Sequence, residues 1–185
     1  MAKFFMLLGA VVLLLVVAAV VLFVRGRRAD GGLFHASIAI DRPPADVFPW
    51  LVEDHHLKQW VTWLVEVRGA PATGPAAVGH KAVMVMNDPN SKKQFLIESE
   101  LTAVDPPRAL SVKLELPGFF TGTASYALTP KDGGTVLDYQ ARYSYHSALY
   151  ALMEPLITPQ AQKKLEGDLR LLKAKVEAAP ASVAR

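Results

Sequence analysis

Apolar and polar positions change their period several times along this chain, and each change marks an element. Phe4 to Val24 carries no charged and no strongly polar side chain. This run of about 21 residues is close to the roughly 20 that a helix needs to cross the hydrocarbon core of a bilayer. Leu33 to Ile40 then alternates Phe34, Ala36, Ile38 and Ile40 against His35, Ser37 and Ala39, the period-2 pattern of a half-buried strand. Asp41, Arg42, Pro43 and Pro44 stop that strand. Val47, Trp50 and Leu51 recur at i, i+3 and i+4, which predicts a short helix opening at Pro44. Pro49 falls inside it, removes a backbone donor and predicts a kink or a break, with a second helical turn around His56 to Trp60.

From Thr62 the period is two again. It predicts strands over Trp63 to Arg68, Lys81 to Met86, Gln94 to Val104, Ala109 to Leu116, Thr121 to Thr129 and Thr135 to Tyr145. The intervening stretches are rich in Gly, Pro, Asp or Asn, as hairpin connections require, so the strands form an antiparallel meander. Ser147 to Ile157 reads as an irregular helical lead-in containing Pro155. Thr158 and Pro159 supply an N-cap and a first-position proline for the helix proper. Ala161, Leu165, Leu169, Leu172 and Val176 form its apolar stripe, with Lys163, Lys164, Glu166, Arg170, Lys173 and Glu177 on the other faces, and it ends near Pro180. The class is α+β: a long amphipathic helix beside a six- or seven-stranded sheet buries its stripe against a concave face of that sheet.

The order strand, two short helices, six strands, long helix resembles the helix-grip fold of the SRPBCC superfamily, which includes birch-pollen-allergen-like and START-type lipid-binding proteins. The run Ile38 to Phe48 with Trp60 resembles the opening strand and helix of that superfamily. Ala103 to Leu110, Gly118 to Pro130 and Gly133 to Val136 resemble its polyketide cyclase/dehydrase branch. The resemblance covers Phe34 to Glu177. It implies a curved sheet grasping the last helix and a cavity between them, while activities within the superfamily range from lipid carriage to aromatase/cyclase chemistry and chaperone partnership.

Charge refines the picture at one end. The chain carries 20 Lys and Arg, 17 Asp and Glu and a net charge of +3, and the excess lies beside the first apolar run, in Lys3, Arg25, Arg27 and Arg28. Once these and Asp30 are set aside, basic and acidic residues are equal in number. The domain therefore offers no electrostatic basis for a nucleic-acid partner. A cleaved signal peptide has a shorter apolar core and a small-x-small site, so the run predicts a single-pass membrane helix. The flanking arginines then meet anionic headgroups and place the domain on the cytoplasmic side of the plasma (inner) membrane. The expected organisation is an anchor and basic linker over 1–32, a helix-grip domain over 33–180 and a tail over 181–185. The absence of cysteine excludes disulfides, thiolate metal sites and a cysteine nucleophile.

The inward face expected of sheet and helix supplies the candidate ligand-binding residues Trp60, Met84, Met86, Phe95, Ile97, Ser99, Val112, Tyr139, Tyr143, Tyr145, Leu165 and Leu169. Methionine adapts its shape to varied ligands, and a phenol buried without a partner costs about 1 to 3 kcal/mol, so some of these tyrosines should meet water or ligand. Phe119 and Phe120, at a hairpin tip, are candidates for membrane contact together with Arg25, Arg27 and Arg28. Alternation sends Glu98, Glu100, Asp138 and Arg142 outward, which leaves no acid or base on the inward strand face. His55, His56 and His80 fall in loops, and His55-His56 lacks the spacing of a helical metal site. No catalytic residue, metal or cofactor is expected. Three readings stand: a membrane-tethered module holding a hydrophobic small molecule or lipid, a cyclase/dehydratase acting on a polyketide-like substrate, and a chaperone-like interaction module with a filled core.

Overall fold

The computed structural model describes residues 11–21, 32–69, 77–88 and 91–180. Residues 11–21 form helix α1, on which every valine and leucine is exposed. At 1.5 Å per residue it rises about 16 Å, roughly half the thickness of a hydrocarbon core. Among the described residues no helix is long and apolar enough to cross a membrane. This overturns the expectation of a single-pass protein, and with it the placement at the plasma membrane with a cytoplasmic domain. The rest of the apolar run, with Arg25, Arg27 and Arg28, lies outside the described residues.

The first strand, β1 (Leu33–Ile40), is followed by three short helices, α2 (Pro44–Val47), α3 (Pro49–Val52) and α4 (Asp54–Trp60). Pro44 and Pro49 each stand at the start of a helix, where the missing N–H is no loss. Pro49 thus begins a new helix rather than kinking a single one. Strands β2 (Leu64–Arg68), β3 (Lys81–Asn87), β4 (Gln94–Asp105), β5 (Ala109–Leu116), β6 (Phe120–Lys131) and β7 (Gly134–Tyr145) follow, and α5 (Ala148–Ala178) closes the chain. The seven strands form one sheet in the order β1-β7-β6-β5-β4-β3-β2, antiparallel at every junction. The period-2 segments therefore become strands nearly as predicted. A register shift between Leu101 and Ala103 bends β4 as bulges do, and it keeps both Leu101 and Val104 against the core.

Helix α5 departs from expectation at its start. Ser147, not Thr158, caps it, its side chain accepting from the Tyr150 amide, and the helix runs through Pro155 and Pro159. Both prolines are exposed, so the carbonyls they free stand on the water side and the helix tolerates them.

The core lies at one end of the sandwich. There Leu169, Leu172 and Val176 of α5 pack with Ile40, Val47, Leu110 and Leu137, all at most 2% exposed. Polar ties hold this end shut. The Arg42 guanidinium donates to the carbonyls of Glu177 (3.0 Å) and Ala179 (2.8 Å), satisfying orphan groups at the helix C-terminus. The Asp41 amide donates to Glu177 (2.7 Å), and Lys173 donates to the Ala39 carbonyl (2.6 Å).

Candidate functional site: an apolar cavity between sheet and helix

Beyond Leu169 towards its N-terminus, α5 no longer fills the concavity of the sheet. The space left is a cavity of about 1140 Å³, walled by β3 to β7, by α3 and α4, and by Ile157, Ala161, Leu165 and Asp168 of α5. Small-molecule pockets span roughly 300 to 1,000 Å³, so this one lies just above that span.

Every residue nominated from the pattern as ligand-binding, Leu169 excepted, lies on this wall: Trp60, Met84, Met86, Phe95, Ile97, Ser99, Val112, Tyr139, Tyr143, Tyr145 and Leu165. Leu169 packs in the core instead. The alternation explains the grouping. Met84 pairs with Ile97 and Met86 with Phe95 across β3 and β4, so one register puts all four side chains on one face. Ser99 donates to the Ala82 carbonyl at 3.0 Å, which leaves little hydroxyl capacity for a ligand. Trp60 is fixed by a 2.8 Å bond from its indole N–H to the Trp50 carbonyl.

Aromatic rings gather toward the far end of β7. Tyr143 stacks on Phe34 with centroids 4.8 Å apart, and its hydroxyl lies 2.6 Å from Thr158 Oγ1, which donates to Glu154 at 2.9 Å. Gly122, paired with Tyr143, makes room for this: a Cβ there would sit 2.8 Å from Tyr143 Cβ and 2.9 Å from the Arg142 carbonyl. Phe119 packs edge-on against Tyr145 (5.5 Å) and Tyr150 (4.4 Å), and Phe119 and Phe120 both line the cavity. These two rings therefore pack along the cavity wall. The Tyr145 hydroxyl is buried without a hydrogen-bond partner among the described residues. Burial first, and the adjacent Tyr143 phenol second, push its pKa up.

Two inward polar residues were not singled out from the sequence. Asp168 is 5% exposed and borders the cavity. It accepts from Thr62 Oγ1 (2.6 Å) and from Lys164, whose ammonium also lies 4.8 Å from the centre of the Trp63 ring. The signal was present: Asp168 stands seven residues after Ala161 and four before Leu172, on the apolar stripe. Tyr126 alternates with Ala124 and Leu128 on β6, pairs directly with Tyr139, and meets its ring edge-on at 4.9 Å. Burial, then Tyr139, then the charge of Asp168 push the Tyr126 phenol well up. Burial and Asp168 push Tyr139 up to about 12.

Two histidines, His55 and His80, border the cavity. His55 and His56, expected in a loop, stand in the first turn of α4 behind Glu53, and the three bring their ligand atoms within 4.8 Å of one another. Spacing of i, i+4 does not reveal this grouping, because it forms around a helix start rather than along one helix face. His56 stacks on Trp50 at 4.2 Å. Burial, and next the neighbouring His55, hold its pKa below the ordinary histidine value. His80 borders the cavity, its Nε2 buried without a partner among the described residues.

The sequence pattern of a family described as "Polyketide cyclase / dehydrase and lipid transport" matches residues 33–177. No curated protein matches the chain by sequence. Among solved structures, Ara h 8.0201 is similar with a TM-score of 0.65 and 13% identity over 80% of this chain and 99% of its own. Protein TTHA0849 from Thermus thermophilus is similar at 0.64 and 18% identity over 81% and 100%. Protein CV1439 from Chromobacterium violaceum is similar at 0.64 and 14% over 80% and 98%. At such identities the likeness is one of fold.

Proposed function

Because the chain belongs to the polyketide cyclase/dehydrase and lipid transport family of the SRPBCC superfamily, a fold that binds hydrophobic ligands generally, we propose that it holds a lipid or lipid-like molecule between its sheet and α5, without transforming it. The observation that carries this reading is the cavity of about 1140 Å³ whose wall is mostly aliphatic, aromatic and methionine side chains. Close packing is the rule in protein interiors, where voids larger than a water molecule are few. A space of this size is therefore not an accident of core packing, and the filled-core interaction module fits it poorly.

The way the buried acid is held supports a binding rather than a catalytic role. Asp168 is engaged by Thr62 and Lys164, so its lone pairs are committed to the protein. A general acid or base must reach the proton it moves.

Titrating the purified full chain with the neutral fluorophore N-phenyl-1-naphthylamine tests the proposal. The expected result is saturable one-to-one binding with blue-shifted emission, lost when Ile97→Trp and Leu114→Trp together intrude on the cavity. No binding to the parent chain, or binding that the double variant leaves unchanged, overturns it.

A further inference from the structure

The buried end of the cavity carries two phenols that the protein leaves without partners. Tyr126 and Tyr139 face each other across β6 and β7, both border the cavity, and among the described residues neither hydroxyl meets a protein hydrogen-bond partner. Both side chains border the cavity, whereas the Tyr145 hydroxyl is buried without a partner among the described residues. Tyr139 is 8% exposed. Two such phenols at directly paired positions mark the place where something polar is received, because a hydroxyl that loses water to a bound ligand without gaining a new partner costs about 1 to 3 kcal/mol.

We propose that Tyr126 and Tyr139 are a polar floor that donates hydrogen bonds to a neutral oxygen of the ligand, a ketone, ester or hydroxyl oxygen, while its hydrocarbon body extends along the wall toward Tyr145. This rests on the cavity being a ligand site, as argued above. From Tyr139 to Tyr145 the strand runs about 20 Å, a length of wall carrying Ala141, Tyr143 and the facing Met84, Ile97 and Leu165.

The charge of the ligand follows from the surroundings. A phenol is protonated near neutrality in any case, and burial first, with Asp168 a later contribution, pushes both of these further up, so both act as donors. The cation beside them, Lys164, is already paired with Asp168. The other cation on the wall, Arg142, alternates to the opposite face of β7 from Tyr139, so a carboxylate or sulfonate placed on this floor would meet the Asp168 charge with Lys164 already engaged, and burying an unpaired charge is heavily unfavourable. A neutral acceptor meets no such penalty.

Three fluorophores separate the possibilities on the full chain, with the Ile97→Trp and Leu114→Trp double variant as the baseline for binding elsewhere. N-Phenyl-1-naphthylamine is neutral and has no carbonyl. 8-Anilinonaphthalene-1-sulfonate adds an anion to the same body. 6-Propionyl-2-dimethylaminonaphthalene is a neutral ketone whose emission shifts to the red when its oxygen accepts a hydrogen bond. The ketone should bind with red-shifted emission relative to its spectrum in an aprotic solvent. Tyr126→Phe and Tyr139→Phe should each weaken it about three- to ten-fold, as loss of one hydrogen bond does, and return the emission toward the blue. Affinity for N-phenyl-1-naphthylamine should stay unchanged, and the sulfonate should bind more weakly than its neutral counterpart. If both neutral fluorophores lose affinity alike in the phenylalanine variants, or neither does, the floor has no hydrogen-bonding role and the inference is overturned. Tighter binding of the sulfonate overturns its neutral-ligand part. Failure of N-phenyl-1-naphthylamine to bind the parent chain overturns the site itself, which is a separate result.

Discussion

One helix meets one sheet in two different ways. From Leu169 to Val176, α5 presents Leu169, Leu172 and Val176 to Ile40, Val47 and Leu137, and nothing is left between them. From Ile157 to Leu165 the same helix faces Met84, Ile97 and the tyrosines across open space. The difference lies in what holds each end. Arg42, Lys173 and Glu177 clamp the packed end to β1 and the loop after it. At the open end the sheet and helix are tied by the Tyr143 to Thr158 contact and by a 2.9 Å bond from the Gln162 side chain to the His35 carbonyl, and α5 carries its two prolines there. Stability and ligand space are thus written into different halves of one sandwich, and substitutions should separate them.

The largest effect should come from Leu172→Ala. At 0% exposed, the truncated side chain leaves a void in close-packed surroundings, and urea denaturation should show a loss of about 3 to 4 kcal/mol, with fluorophore affinity per folded molecule unchanged. Arg42→Ala removes two charge-assisted bonds to the helix end and should cost about 2 kcal/mol in the same assay. In the open half the order reverses. Ile97→Ala enlarges a space that already exists, so it should cost only about 1 kcal/mol of stability while weakening N-phenyl-1-naphthylamine measurably. Tyr143→Phe, which breaks the tie to Thr158, should cost about 1 kcal/mol or less. A large stability loss at Ile97, or none at Leu172, breaks the comparison.

The smallest effect concerns pH. The Asp41 amide, and next Lys173, hold the Glu177 carboxyl below the ordinary glutamate range. A depressed folded-state pKa contributes stability above the unfolded value and loses it as pH falls through the folded one. The stability advantage of the parent chain over Glu177→Gln should therefore be full at neutral pH and shrink as pH drops below about 4. An advantage that grows on acidification has the wrong sign.

What the sequence made legible was what alternation encodes. Hydrophobic periodicity fixed the strands and the inward faces of β3, β4 and β7, so Met84, Ile97 and Tyr143 fell on the cavity wall. It was weaker where a side chain breaks the pattern for a tertiary reason. Asp168 interrupts an apolar stripe because Thr62 and Lys164 receive it; Lys164 stands one turn earlier on the same helix, but only the folded chain brings Thr62 there. Pro155 and Pro159 read as a boundary, yet both stand on the water side of a continuous helix. The first apolar run was read as a span on its length and apolarity, whereas its described part is a helix of residues 11–21, too short to cross. Leu169 and Leu165 belong to one stripe, and nothing in their spacing told core from cavity.

Hydrogen exchange followed by mass spectrometry on the full chain, with and without N-phenyl-1-naphthylamine, tests the division most directly. Added fluorophore should slow exchange in β3, β4 and residues 148–165 of α5, and leave residues 169–178, already clamped, as they were. Uniform slowing along all of α5, or none in β3 and β4, would contradict an apolar ligand site confined to the open half of the sandwich.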